Sequence, residues 1–509
     1  MVSHGRDKKE AKPPKQQKHR KKDKDDTDID VDAAIMKDMD LPDNFSIFDG
    51  GSVTSSNMGG FDDDNYFDDD IGGGEDDLLG NGASLGELDR AENAATNRAS
   101  KLADALSLAS TLSSEKRSAK REGGYRIVFK AVTCYAAGST GREILETHWD
   151  SIWEACLYSV QGKGNAKPTE QYAACRVLEA CSVVLGEDRD DIVQTVNEPL
   201  KKVVHATGRA TQVRAAALRC LAMVHFICGT DCLEEGEDCW SVIDLCEKVG
   251  NENYRGEAVS PILRATAIDC WSLLSTTFHN AQIAAGDGYD DTIELGRGLQ
   301  ILPLLASCFD SSDTDLRRSA GECVSLIHEC RLKLGLDVEE AENTTERKFR
   351  RGSWDGSEWE ILMDEVKQRI TDLSVESSHY MSKQQKKKQR ATFRDFMHTI
   401  VEDESPNEVV NWRGGKLTLT SWKEIIQLNF VRHCLQGGFQ IQLMTNDTLQ
   451  GVFGATFEAS GASLSQLDKR LFMSKTSEAS KAADKAMTKQ RRTRTNVKNH
   501  FLTADGQDI

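Results

Sequence analysis

A chain of 509 residues with 29% charged and 39% hydrophobic residues and a net charge of −18 is too polar to fold along its whole length, because part of it cannot bury enough apolar surface to offset its ordering entropy. The charge is concentrated: residues 1–24 hold ten Lys/Arg against three acids, and residues 25–79 hold eighteen acids against Lys37 alone. The net charge therefore describes one tract and does not exclude RNA contact by a local basic patch elsewhere.

Residues 1–85 are expected to be disordered. "KKEAKPPKQQKHRKKDK" is basic and broken by proline, and "FDDDNYFDDDIGGGEDDLLGNGASLG" is acidic and rich in glycine. Phe61, Tyr66, Phe67, Leu78 and Leu79 are set among the acids, a pattern that either solvates a tail or docks on a partner groove. The acids lack the glycine and terminal glutamate of an EF-hand loop. The start has no apolar stretch of the kind a signal peptide needs, and the longest apolar run, Ala215–Gly229, contains Arg219 and His225 and is too short to span a bilayer. These features predict a soluble, non-secreted protein that does not act on a membrane, with its fourteen cysteines as thiols.

From 86 to 336 the apolar residues recur at three- and four-residue intervals, as in amphipathic helices. "VRAAALRCLAMVHF", "LRATAIDCWSLLSTTF" and "LRRSAGECVSLIHEC" share one layout, with an arginine followed six positions later by a cysteine: Arg214/Cys220, Arg264/Cys270 and Arg317/Cys323. "QYAACRVLEACSVVLG" is a looser copy upstream, and "DIVQTVNEPLKKVVHAT", "CWSVIDLCEKV" and "LQILPLLASCF" supply the second helix of each unit. Offsets of 50 and 53 residues with two helices per unit predict a mainly α protein, an α-solenoid of HEAT or armadillo type.

Residues 337–382 read as a linker with a closing helix at "SEWEILMDEVKQRI". Residues 383–457 read as a small α+β module. Within it "KLTLT" and "FQIQLM" alternate as strands, and "SWKEIIQLNFVRHCLQGG" is a helix with a Ser421/Glu424 capping box and glycines at its end. Residues 458–509 form a basic, helix-favouring tail, with ten Lys/Arg against two acids between Lys469 and Lys498.

No phosphate-binding loop, dinucleotide fingerprint, nucleophile elbow or zinc-protease motif is present, so no catalytic residue, cofactor or small-molecule substrate is expected. His225, Cys228, Cys232 and Cys239 have H-x2-C-x3-C spacing. His225 and Cys228 lie on an apolar helix and no paired knuckle follows, so they read as core or loop groups and no metal site is assigned. The basic segments are the better lead. Lys386, Lys387, Lys388 and Arg390 form either a solvated helix end or a phosphate-contacting edge, and Phe393, Phe396, Met397, Ile400 and Val401 fall at the spacing of a core-facing stripe. In the tail, Lys475, Lys481, Lys485, Lys489, Arg491, Arg492 and Arg494 make either an inert extension or a helix that phosphate neutralisation stabilises.

The stretch from "QRATFRDFMHTI" onward resembles the C-terminal module of the interferon-related developmental regulator family. "PNEVV", "LTLTSW", "FVRHCLQGGFQIQL" and "TNDTLQGVFG" follow in the family's order. The residues that carry the resemblance as structural positions are Phe393, Arg394, Asp395, Phe396, Pro406, Trp422, Asn446 and Asp447. The helical region is similar to that family's armadillo-like part, most closely at Leu200–Gly229. The resemblance implies a non-enzymatic regulator in the cytoplasm, the nucleus or both. It implies either occupation of translationally idle ribosomes, with the helical array on the ribosome and the basic C-terminal helix in the mRNA path, or transcriptional co-regulation through protein partners. The solenoid surface and, by its composition alone, the acidic tract at 25–79, which departs from the family pattern, are where such partners are expected.

Overall fold

Helices alternate along the chain between two layers. In chain order they are α1 (Leu85–Ser107), the short α2 (Ala109–Leu112), α3 (Ser118–Tyr135), α4 (Gly138–Val160), α5 (Pro168–Leu185), α6 (Asp190–His205), α7 (Thr211–Cys228), α8 (Glu237–Gly250), α9 (Pro261–Ser275), the short α10 (Asn280–Ala284), α11 (Arg297–Cys308), α12 (Thr314–Glu340), α13 (Trp359–Val375) and α14 (Lys383–Glu402). The structure, a computed structural model, describes residues 85–229, 237–285, 295–340, 359–375, 383–412 and 415–453. Helices α3, α5, α7, α9, α12 and α14 each pack on the next in that series and form an inner layer; α1, α4, α6, α8, α11 and α13 back them as an outer layer. Connections of a few residues force consecutive helices antiparallel, and the result is the helical solenoid that the 50-residue offsets predict. The basic and acidic tracts before residue 85, and the tail after residue 453, lie outside the described residues.

The repeated arginine has a structural reason. Arg214 Nε donates to the Val204 carbonyl (3.0 Å) and Arg264 Nε to the Gly250 carbonyl (2.9 Å). Both carbonyls lie in the last turn of the preceding outer helix, where no intrahelical donor remains. In these two repeats the first inner-layer arginine therefore closes the C-terminus of its own outer helix, whereas Arg317 of the third donates to Gln389 on α14. Cys220, Cys270 and Cys323 are fully buried where neighbouring inner helices meet, small enough to let those helices approach closely.

The outer helix α6 is one-sided: Ile192, Val196, Leu200 and Val203 are buried while Glu198 and Lys202 are exposed. The inner helices α5, α7 and α9 are buried almost all round, the pattern of a helix covered on both sides. The second cover comes from the end of the chain. After α14, β3 (Glu408–Trp412) pairs antiparallel with β4 (Gly415–Leu419), Val409 opposite Thr418. A separate two-residue pairing, β1 (Asn253–Tyr254) with β2 (Glu257–Ala258), sits in the α8–α9 turn. Helix α15 (Trp422–Leu435) then lies across α12, α9 and α5, and a 3-10 turn at Gln436–Gly438 leads into α16 (Phe439–Thr445) on α3; α17 (Asp447–Val452) follows. The strap thus runs back over the inner layer towards its first helix.

"FQIQLM", expected as a strand, is the helix α16, and the partner of "KLTLT" is Glu408–Trp412. Six residues are too few for period-two alternation to decide between strand and helix. Phe439, Ile441, Gln442, Leu443 and Met444 are all buried, so the intervening glutamine is not on a solvent face. Gln442 Nε2 instead donates to the Ala136 carbonyl at 2.9 Å and the Thr133 carbonyl at 3.2 Å, beyond and within the last turn of α3.

The Gln436–Gly438 turn meets α3 backbone to backbone. A Cβ at Gly438 would overlap the Thr133 carbonyl, which cannot swing aside as a side-chain tip could. Gly438→Ala is expected to cost about 1–3 kcal/mol and to expose the strap to proteolysis between α15 and α17. Limited trypsin digestion followed by mass spectrometry checks this; a cleavage pattern identical to wild type would refute the contact.

Candidate nucleic-acid interface

The basic start of α14 stands at the edge where inner helices begin. Lys386, Lys387 and Lys388 fall in its first two turns and Arg390, half-buried, follows. Gln389 Oε1 accepts from Arg317 Nη2 at 3.2 Å, tying this end to the start of α12. The aromatics beyond belong to the core. Phe393 and Phe396 are buried, their rings 5.4 Å apart and edge-on; Phe309 lies 6.5 Å from Phe393, and Trp422 lies 5.5 Å from Phe396. They cannot serve as stacking platforms for bases. The tail cations Lys475, Lys481, Lys485, Lys489, Arg491, Arg492 and Arg494 lie outside the described residues.

The other family-motif positions have identifiable structural work. Trp422 donates its backbone N–H to Glu329 Oε2 (2.5 Å) and its Nε1–H to Thr399 Oγ1 (2.9 Å). Asn446 caps α17 by accepting from the Leu449 N–H (3.2 Å), and donates Nδ2–H to the Val183 carbonyl (2.8 Å). Asp447 is exposed in the first turn of α17, where its charge opposes the helix dipole favourably. Arg394 is exposed, Asp395 half-buried, and Pro406 half-buried ahead of β3.

Beneath the strap lies a set of charged groups that sequence patterning does not bring together. Arg176 Nη1 pairs with Glu179 Oε2 at 2.5 Å, and Nη2 donates to the carbonyls of His433 (2.6 Å) and Cys434 (3.0 Å) at the end of α15. Its guanidinium sits 5.1 Å above the Phe129 ring. Burial, with Arg176 and Arg219 nearby, drives the His433 pKa well below its ordinary value and keeps the imidazole neutral. The usable signal is "CRVLEAC": an arginine and a glutamate inside an apolar helix must find partners when buried.

His225 and Cys228 are buried on α7: His225 Nε2 lies 3.4 Å from Asn197 Oδ1, and Cys228 Sγ is 3.6 Å from the Ser182 carbonyl. Burial pushes the Cys228 and Cys175 thiols up to about 12, so both remain protonated. Cys239 is buried on α8, and Cys232 lies outside the described residues. At the end of α14, His398 Nδ1 sits 2.6 Å from Glu402 Oε2, on the exposed side of the helix beside Glu404.

Glu408, at the base of the β3–β4 hairpin, is buried with Arg432 3.9 Å away. Burial lifts its carboxyl to about 8, Arg432 pulls it down and Asp395 pushes it up. A carboxyl raised in the folded state contributes stability that is full below its unfolded value of 4.5 and is lost as pH rises through about 8. Glu408→Gln is therefore expected to matter little at pH 5 and to gain a few kcal/mol relative to wild type at pH 9, at about 1.4 kcal/mol per unit of pH between 4.5 and about 8. Thermal unfolding at both pH values tests this; an equal effect at the two would contradict it.

Comparison with known proteins gives one family. The model of the interferon-related developmental regulator family matches residues 76–401, from ahead of α1 to the end of α14. Interferon-related developmental regulator 1 of Mus musculus is 27% identical over 365 residues, covering 68% of this chain and 71% of the relative. The Homo sapiens protein of the same name is 25% identical over 369 residues, 69% of this chain and 72% of its own length. Interferon-related developmental regulator 2 of Mus musculus is 25% identical over 311 residues, 59% of this chain and 61% of the relative.

Proposed function

Since the chain belongs to the interferon-related developmental regulator family, a family of regulators of gene expression, we propose that it is a non-enzymatic, ribosome- or RNA-associated regulator of translation. The observation that carries this reading is the closed inner face. With α15 and α16 lying on α12, α9, α5 and α3, the solenoid offers its edges and outer layer to partners, and phosphate affinity falls to cationic segments outside that closed face, among them the start of α14 and the tail at Lys475–Arg494. Binding is then dominated by counterion release and weakens steeply with salt. The test is sedimentation of a lysate at low and moderate salt. The protein is expected in ribosomal fractions at low salt, to leave them as salt rises, and to be displaced by charge reversal at Arg491, Arg492 and Arg494. Absence from those fractions at both salts would falsify the reading.

The acidic, aromatic-bearing tract supports a second reading, a nuclear transcriptional co-regulator scaffold. In it "KQQKHRKKDK" acts as a localisation signal and Phe61, Tyr66 and Phe67 as docking groups. Imaging of the full-length protein and of a variant lacking residues 1–80 separates the two readings. A full-length protein confined to the cytoplasm rules out the second.

A further inference from the structure

Two-layer alternation has an electrostatic result. Among the described residues, the outer-to-inner connections fall on one edge and the inner-to-outer connections on the other. On the first edge the three leading turns, 113–117, 161–167 and 206–210, touch in sequence. The Lys167 N–H donates to Ser118 Oγ (3.2 Å), Arg121 Nη2 donates to the Gly164 carbonyl (2.9 Å), and Arg209 Nη2 donates to the Gln161 carbonyl (2.7 Å). These turns and the helix ends beside them expose Lys116, Arg117, Lys120, Lys163, Lys167 and Lys202. Two of the nearby acids are engaged: Glu115 accepts from the Arg117 N–H (2.9 Å) and pairs with Lys120 (3.8 Å), and Glu122 accepts from Arg126 (2.8 Å) and Thr169 (2.7 Å); Asp104, Glu154 and Glu198 are exposed on the outer helices towards this edge. The other edge has the opposite sign, with Glu143, Glu187, Asp188 and Asp191 exposed around the starts of α4 and α6.

Two further features favour an anion on the basic edge. The inner helices α3, α5 and α7 begin there, so their N-terminal dipole ends add positive potential. The outer helices end there, and carbonyls that would oppose an anion are taken by the chain's own guanidinium groups: the half-buried Arg209 on Val160 and the buried Arg214 on Val204. Adjacent helices pack about 8–10 Å apart, so the cations form a row. A row suits a linear polyanion better than a compact phosphate group.

We propose that this edge, from the turn before α3 to the turn before α7, is an RNA backbone-binding surface. The inference rests on the RNA-associated reading and places a contact on the solenoid itself, remote in sequence from the tail. The edge becomes mixed at the α8–α9 turn, where Arg255 stands between Glu252 and Glu257, and acidic at Asp310–Asp315.

The experiment is a fluorescence-anisotropy titration of the full-length protein with a labelled, unstructured RNA oligonucleotide across a salt series. It compares wild type with a variant carrying Lys116→Gln, Lys163→Gln, Lys167→Gln and Lys202→Gln. These side chains are at the surface, and an unchanged thermal midpoint verifies folding. The variant is expected to bind about tenfold or more weakly near physiological salt, and the slope of log K against log salt to fall by roughly 0.7 for each phosphate no longer neutralised. Glu143→Gln with Glu187→Gln, on the opposite edge, is expected to leave both quantities unchanged. Affinity and slope equal to wild type in the lysine variant overturn the proposal. So does competition by polyglutamate as effective as RNA at equal charge, which identifies a general acid-binding rim. Ribosome sedimentation that depends on Arg491, Arg492 and Arg494 while the lysine variant behaves as wild type in both assays removes the edge and leaves the translational reading. RNA binding through the lysines without ribosome association does the reverse.

Discussion

Replacing Arg176 by alanine is expected to lower the unfolding free energy by about 3–5 kcal/mol, the cost of breaking a buried ion pair by removing one partner. The substitution strands the Glu179 carboxylate in the interior and removes the donor for two carbonyls at the end of α15, His433 and Cys434. Replacing the pair together, Arg176→Met with Glu179→Leu, is expected to recover part of that loss, because two apolar groups relieve the desolvation of two charges. The two carbonyls stay without their guanidinium, so recovery is incomplete by about 1–3 kcal/mol. Urea denaturation followed by tryptophan fluorescence measures all three proteins. An Arg176→Ala midpoint close to wild type would show that the strap does not depend on this anchor.

Trp422→Ala has a comparable expected cost of about 3–5 kcal/mol, through cavity formation. Its ring is completely buried at the meeting of α12, α14 and the strap, 5.5 Å from Phe396, with Nε1 held by Thr399. Trp422→Phe keeps most of the packed volume and gives up the indole hydrogen bond, so about 1 kcal/mol is expected from that loss alone. The comparison decides what the motif tryptophan does. A phenylalanine variant as damaged as the alanine one would mean that the Thr399 bond, not packing, seats the strap.

The solenoid is legible in the sequence because its signal is repeated. The Arg–Cys spacing recurs with offsets of 50 and 53 residues, and small residues on inner helices mark close approach. The capping box at Ser421 is equally readable, since it depends on four consecutive positions: Ser421 Oγ accepts from the Glu424 N–H, and the Glu424 carboxylate answers from the other side. The strap's destination is not legible. Gln442 and Asn446 satisfy carbonyls more than 250 residues away, and no local period records a long-range hydrogen bond. For the same reason α16 reads as a strand: its glutamine looks solvent-facing until the ends of α3 are placed beside it. Of the candidate site, Phe393, Phe396 and Ile400 read as core from their spacing and are buried there, while Val401, expected on the same stripe, is exposed in the last turn of α14. The basic edge is invisible in the sequence because its lysines are dispersed over about ninety residues and come together only through the two-layer alternation.

The backtracking strap also sets a timetable for synthesis. Gln442 pairs with the Val132 carbonyl region 310 residues earlier, so the first inner helices leave the ribosome long before their cover exists. At about 5–20 residues per second, α3 waits roughly 15–60 s with an apolar face exposed to solvent. Nascent chains truncated before Trp422 are therefore natural clients for chaperones, and a stop codon in α15 would leave a sticky array instead of a shorter solenoid.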